Sequence, residues 1–143
     1  MNPGYIYIME DQSNCNIVKV GYSEDPIQRL RQLYTTGTPL PYIITYLWGV
    51  KDMLNAERVA HAVLEGHRVN PNREFFYIVP PMSNLPGQNC PDTCDCYLYT
   101  LAGLIEERFY DCNIEAIRID LNWFKQKYAE RLQLFPEGVK GFK

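Results

Sequence analysis

The chain has no excess of positive charge. Its 14 lysines and arginines stand against 17 acids, for a formal net charge of −3. Proteins that coat nucleic acid through bulk charge are basic, so the balance counts against that class, while leaving room for an enzyme that grips one or two phosphates through a local cluster. No apolar run approaches the length that crosses a bilayer, so no membrane partner is expected. No secretory pattern opens the chain, and the five cysteines are an odd number without a CxxC pair. Together these features imply an intracellular protein, in the cytoplasm or nucleus of its host, with reduced thiols. There is no internal repeat or low-complexity tract, and neither a helix-turn-helix nor a complete zinc finger supplies a separate sequence-reading module.

What is present suits one ordinary domain with a short extension. The 143 residues are 46% hydrophobic and 22% charged, with 11 tyrosines, enough to bury a core without staples. Tyr5 to Ile8 and Ile17 to Val20 read as two strands joined by the polar link 10–14, a β-hairpin. Ser23 or Asp25 caps a helix that opens at Pro26 and repeats Ile27, Leu30, Leu33 and Tyr34 at helical spacing. Gly37, Pro39 and Pro41 stop it. Tyr42 to Trp48 reads as a third strand. Asp52 caps a second helix to about Gly66, with Leu54, Val59, Ala60, Val63 and Leu64 toward the core. Phe75 to Val79 closes the unit as a strand. The expected architecture is α/β (α+β): a small, mainly antiparallel sheet flanked by helices over 1–80. A Pro/Cys-rich linker or loop follows over 81–97, and then a mostly helical extension over 98–143. In that extension Ile117, Leu121, Phe124, Tyr128, Leu132 and Phe135 form an apolar stripe, although residues 117–121 also alternate as a strand does.

Five polar side chains fall at conspicuous places on these elements. Tyr7 is on the first strand, Lys19 on the second and Arg29 on the first helix. Glu57 and His61, four apart, share one face of the second helix. Phosphodiester cleavage needs such a set: a group to take the proton of the attacking water, cations for the phosphate, and a carboxylate to hold a metal. Taken singly, each has a plainer reading as a strand aromatic, a solvated cation or carboxylate, or a structural histidine; their order along the chain sets them apart.

That order is Gly4-Tyr5-Ile6-Tyr7-Ile8, Lys19-Val20-Gly21, Arg29-Leu30, Thr36-Gly37-Thr38-Pro39, Glu57 to His61, Arg68-Val69 and Glu74-Phe75-Phe76. It resembles the GIY-YIG nucleases, most closely their phage-type branch, over about residues 4–79. The resemblance implies a metal-dependent DNA endonuclease. Tyr7 would be the general base, as phenolate or through a water, and Gly21 would let the backbone approach the substrate. Arg29 would contact the scissile phosphate. Glu57 would hold one Mg²⁺ or Mn²⁺, with His61 lining the same pocket. Lys19 replaces the second motif's tyrosine, where it would favour the Tyr7 phenolate or bind phosphate. The late asparagine of many members has no clear counterpart; Asn72 and Glu74 lie nearby. DNA is the implied partner, and double-strand cleavage implies a homo-oligomer or larger assembly. The acidic balance and the lysine substitution motivate a rival reading, a non-catalytic module of the same fold such as a virion component or DNA-associated scaffold.

Two further features stand outside this set. Cys90, Cys94 and Cys96 form a Cys-rich loop in the linear reading, either free thiols or a Zn²⁺ site completed by Cys112, Cys15 or a histidine. In oxidising surroundings, Cys90–Cys96 or Cys94–Cys112 would be candidate disulfides. Lys125, Lys127 and Arg131 lie close together, but Glu130 and the acids from Glu106 to Asp120 dilute them, so this stretch reads as a charge-mixed solvated face.

Overall fold

The computed structural model describes residues 2–34, 40–70, 74–80 and 90–132. The Thr36–Pro39 run, Asn72 and Phe135 fall outside these. Five strands form one sheet in the order β4-β2-β1-β3-β5, and every pairing is antiparallel. They are β1 (Gly4–Glu10), β2 (Ile17–Ser23), β3 (Ile43–Val50), β4 (Phe75–Tyr77) and β5 (Ala116–Arg118). The helices are α1 (Pro26–Leu33), α2 (Met53–Val63), α3 (Pro91–Asp111), α4 (Leu121–Lys127) and α5 (Ala129–Leu132). Among the described residues, no helix is long and apolar enough to cross a membrane.

β1 is the central strand, and its period of two explains why both faces of the sheet are covered. Ile6 and Ile8 join Val18, Val20, Trp48 and Phe76 in a core beneath α2 and α3. Tyr7 and Met9 join Ile27, Leu30, Ile44, Leu47 and Phe124 in a second core beneath α1 and α4. A strand buried on both sides has no polar face, and Ile6 through Met9 are indeed fully buried. The link between β1 and β2 is held by two aspartyl/asparaginyl turns. Asp11 Oδ1 accepts from Ser13 N at 2.9 Å, and Asn14 Oδ1 accepts from Asn16 N at 3.0 Å, the local bonding that suits these residues to turns.

The helices begin where their caps stand. Asp25 Oδ1 accepts from Gln28 N at 3.1 Å, with Pro26 in the first turn of α1. Asp52 caps α2 in the same way. α2 buries Met53, Ala56 and Ala60; Leu54, expected in the core, is 44% exposed. The small alanines let α2 lie close to its neighbours. The helix ends at Val63, followed by a single 3₁₀ turn over Glu65–His67.

The largest departure from the linear reading is at residues 91–97, expected in a linker or loop, which form the first turns of α3. Pro91 is tolerated there because the first turn of a helix has no partner for its missing N–H. Cys94 begins the stripe Cys94, Leu98, Ala102, Ile105, Phe109 that α3 buries, a helical spacing that extends further back than the apolar residues alone suggested. α3 ends at Asp111, and Asn113 just beyond its cap has a φ of 57°, the left-handed conformation asparagine tolerates. Residues 116–118 then pair with β3, the alternative reading of that segment. Ile117 is accordingly 73% exposed rather than part of a buried stripe.

Asn16 ties this frame together. Its Nδ2 donates to Val79 O at 2.8 Å and its Oδ1 accepts from Val79 N at 2.7 Å, while Ile78 N donates to Asn16 O at 2.9 Å. Asn16 is buried. Replacing it by alanine leaves both Val79 groups without partners, and urea denaturation of Asn16→Ala is expected to show a loss of about 2–4 kcal/mol. A loss under about 0.5 kcal/mol, within the range of an ordinary surface change, would show that Asn16 does not clamp the strand ends.

Candidate active site

Tyr7 lies opposite Gly21 on β2 and Leu47 on β3, on the sheet face that α1 covers. Its side chain is fully buried, and its hydroxyl has no hydrogen-bond partner among the described residues. A Cβ at Gly21 would stand 2.6 Å from Tyr7 Oη and 2.8 Å from Glu74 Oε2. The bare backbone of Gly21 is therefore the surface over which a phenol and a carboxylate approach each other.

Arg29 comes from α1, one residue before the buried Leu30. Its guanidinium lies beside the Tyr7 hydroxyl, close enough for each to act on the other although the contact falls short of hydrogen-bond geometry. Burial is nonetheless the dominant influence on Tyr7. It pushes the phenol up to about 12 against the pull of Arg29, with Glu74 and Glu57 pushing the same way. Tyr7 therefore keeps its proton at neutral pH. Lys19, expected to favour the phenolate, is engaged elsewhere: its Nζ is 3.4 Å from Glu74 Oε2 and 4.7 Å from the Phe75 ring centroid. β4 positions this pair, since Phe75 stands opposite Lys19 in the register and Val20 N donates to Glu74 O at 3.0 Å.

Glu57 enters from α2. Its Oε2 is buried without a hydrogen-bond partner. Burial and then the nearby Glu74 charge raise its carboxyl to about 7, offset by Lys19 and Arg68. His61, one turn on, is anchored to the fold: Nε2 donates to Val20 O at 2.7 Å, and its ring packs on Phe76 at 5.1 Å between centroids. Burial lowers its pKa, so the ring is neutral at physiological pH and holds α2 against β2.

The structure thus brings Tyr7, Lys19, Arg29 and Glu57 within electrostatic reach of the Glu74 carboxylate, while the Nε2 of His61 serves the backbone. It adds Glu74, to which the sequence alone assigns no role although Glu74-Phe75-Phe76 closes the ordered motifs. Arg68 and Tyr22 are also added: Arg68 acts on the Glu57 carboxylate, and Tyr22 acts on Arg29. A cleft of about 490 Å³ opens beside them, with Tyr22, Asp25, Gln28, Arg29, Met53 and Glu74 in its lining.

The buried, unpartnered oxygen of Glu57, with the Glu74 charge nearby, is a donor environment that fits a hard divalent cation. Among the described residues, no group of three or more His, Cys, Asp or Glu side chains is arranged to hold a metal, so water and phosphate oxygens would complete the shell. The cysteines are not drawn together as a site. Cys94 is buried with its Sγ 3.8 Å from that of Cys15, while Cys90, Cys96 and Cys112 are exposed, and none of the five is in a disulfide.

A family model described as the T5orf172 domain matches residues 4–84. No curated protein and no solved structure matches the chain.

The raised Glu57 carboxyl has a consequence for stability. Its folded pKa of about 7 exceeds the ordinary carboxyl value of 4.5, so the native state binds the proton more tightly than the unfolded chain. Stability therefore falls as pH rises between these values and stays low above them. Glu57→Gln removes that dependence. At about pH 8 the variant is expected to be more stable than the wild type by about 1–2 kcal/mol after solvent screening, converging with it near pH 4. Parallel pH dependences in denaturant titrations of the two proteins would contradict the placement of a strained carboxylate there.

Proposed function

The chain belongs to the T5orf172 domain family, and we propose that it is a metal-dependent DNA endonuclease of the GIY-YIG kind. The association of this family with nuclease-like phage proteins supports the reading. The observation that carries it is a pair of buried oxygens without partners, Tyr7 Oη and Glu57 Oε2, each under the influence of the Glu74 charge, with Arg29 beside Tyr7 and lining an open cleft together with Glu74. Buried polar atoms without partners are costly, and a site that pays this cost is arranged for what it binds.

Within this reading Arg29 holds the scissile phosphate, its planar fork matching two phosphate oxygens. Glu57 holds Mg²⁺ or Mn²⁺, which when bound supplies charge neutralisation at the phosphate and the leaving oxygen. Tyr7, protonated, orients the attacking water through its hydroxyl. The water proton passes to the Glu74 carboxylate, which pairs with Lys19, while the water oxygen forms the new P–O bond and the strand's P–O bond breaks. The departing oxygen takes its proton from solvent. Glu74 thus takes the proton-accepting role that a phenol at about 12 cannot fill at neutral pH. Double-strand cleavage by a unit this small would need a second copy or a larger assembly.

The alternative is a non-catalytic module of the same fold. The Lys19–Glu74 pair favours it, because that lysine's charge is already neutralised. Plasmid nicking with Mg²⁺ or Mn²⁺ separates the two readings. Wild-type cleavage is expected to fall about 10²–10³-fold in Glu57→Gln and in Arg29→Ala, the scale of losing one group that stabilises transition-state charge. A folded wild type that leaves DNA intact with both metals would establish the non-catalytic module instead.

A further inference from the structure

Residues 121–132 hold Lys125, Lys127 and Arg131 against the single acid Glu130, a local excess of +2 in a chain of net charge −3. In the linear reading the neighbouring acids dilute this cluster. In the structure three of these acids, Glu106, Glu115 and Asp120, are engaged. Glu106 accepts from Trp48 Nε1 at 2.9 Å and pairs with Arg118. Asp120 caps α4 by accepting from Asn122 N and Trp123 N. Glu115 pairs with Lys51. Among the described residues, no carboxylate pairs with Lys125 or Lys127.

The cations are arranged with aromatic rings. Trp123 is 52% exposed, and Lys127 Nζ lies 4.8 Å from its ring centroid and 5.4 Å from that of Tyr128. Phe124, the residue after Trp123 in α4, is buried against Tyr5 with ring centroids 5.9 Å apart. α4 is therefore seated by its apolar side and presents an indole and an ammonium outward. Arg131 then joins this surface to the cleft: its guanidinium is 2.5 Å from Asp25 Oδ2, and Asp25 lines the cleft together with Arg29 and Glu74.

We propose that the exposed face of α4–α5, centred on Trp123 and Lys127, is a second DNA contact that holds the strand flanking the cleft. The proposal rests on the endonuclease reading and says how an acidic protein retains its substrate. Lys127 takes a phosphate as a point charge, and Trp123 offers an aromatic face to a sugar or an exposed base. The acidic remainder of the molecule repels DNA, so binding is confined to this face and the cleft.

The test is fluorescence anisotropy with a short labelled duplex across a salt series, using Glu57→Gln as the background so that nothing is cut. Lys127→Ala is expected to weaken binding about threefold to tenfold and to lower the slope of log K against log salt by about 1, one phosphate contact's worth. Trp123→Ala is expected to weaken binding about fivefold or more. Arg108→Ala, on the exposed side of α3 across the sheet, serves as a control and leaves both quantities unchanged. In the cleavage-competent protein, Lys127→Ala raises KM and leaves kcat in place, a split that a folding defect would not give. Unchanged binding by both α4 variants, or an equal loss in Arg108→Ala, overturns the proposal while the endonuclease reading stands. Absence of any binding by the background protein overturns both.

Discussion

Tyr7 and Gly21 face each other across β1 and β2, and the missing side chain at Gly21 allows the Tyr7 hydroxyl and the Glu74 carboxylate to approach one point, at 2.6 and 2.8 Å. Much of the site follows from that contact. Tyr7 is fully buried because β1 is central and covered on both faces, which raises its pKa and leaves its hydroxyl unpartnered. Glu74 is delivered by β4 at the sheet edge, where its backbone and carboxylate bind Val20 and Lys19. Glu57 then stands near a second negative charge in a partly desolvated place. A sheet assembled for burial has thereby been made to hold carboxylates that burial opposes, a local conflict of the kind found where a fold serves a function rather than its own stability.

The C-terminal part is continuous with this frame. α3 packs Cys94, Leu98, Ala102, Ile105 and Phe109 into the same core as Ile6 and Ile8, and β5 lengthens the sheet beside β3. α4 places Phe124 in the core that holds Tyr7. The arginine at the end of this region, Arg131, bonds the residue that caps α1, the helix that carries Arg29. The extension therefore supports the position of Arg29 as well as closing the second core.

Much of this was legible in the sequence because the signals were local. Period-two alternation marked β1 and β2, Asp25-Pro26 and Asp52 marked helix starts, and the ordered motifs placed Tyr7, Gly21, Arg29 and Glu57 on the right elements. What escaped the linear reading depends on contacts between distant segments. Glu74 gains its role only when β4 pairs with β2 and brings it to Lys19, so Lys19 alone looked like a partner for Tyr7. The start of α3 was hidden because Pro91 and three cysteines resemble a loop until Cys94 is seen to continue the buried stripe. Leu54 looked like a core residue by type, yet α2 turns its alanines inward instead. The freeing of the α4 cations from their acidic neighbours likewise required partners that the sequence does not name.

The account depends on Glu57 being a carboxylate held ready for a cation. Carbon-13 NMR of labelled glutamate side chains, followed through a pH titration with and without Mg²⁺, observes that group directly once Glu57→Gln assigns its signal. The account predicts a Glu57 carboxyl that titrates at about 7 in the free protein and moves to lower pH when Mg²⁺ is added, because the cation favours the charged form. A Glu57 signal that titrates in the ordinary carboxylate range and ignores Mg²⁺ would contradict it.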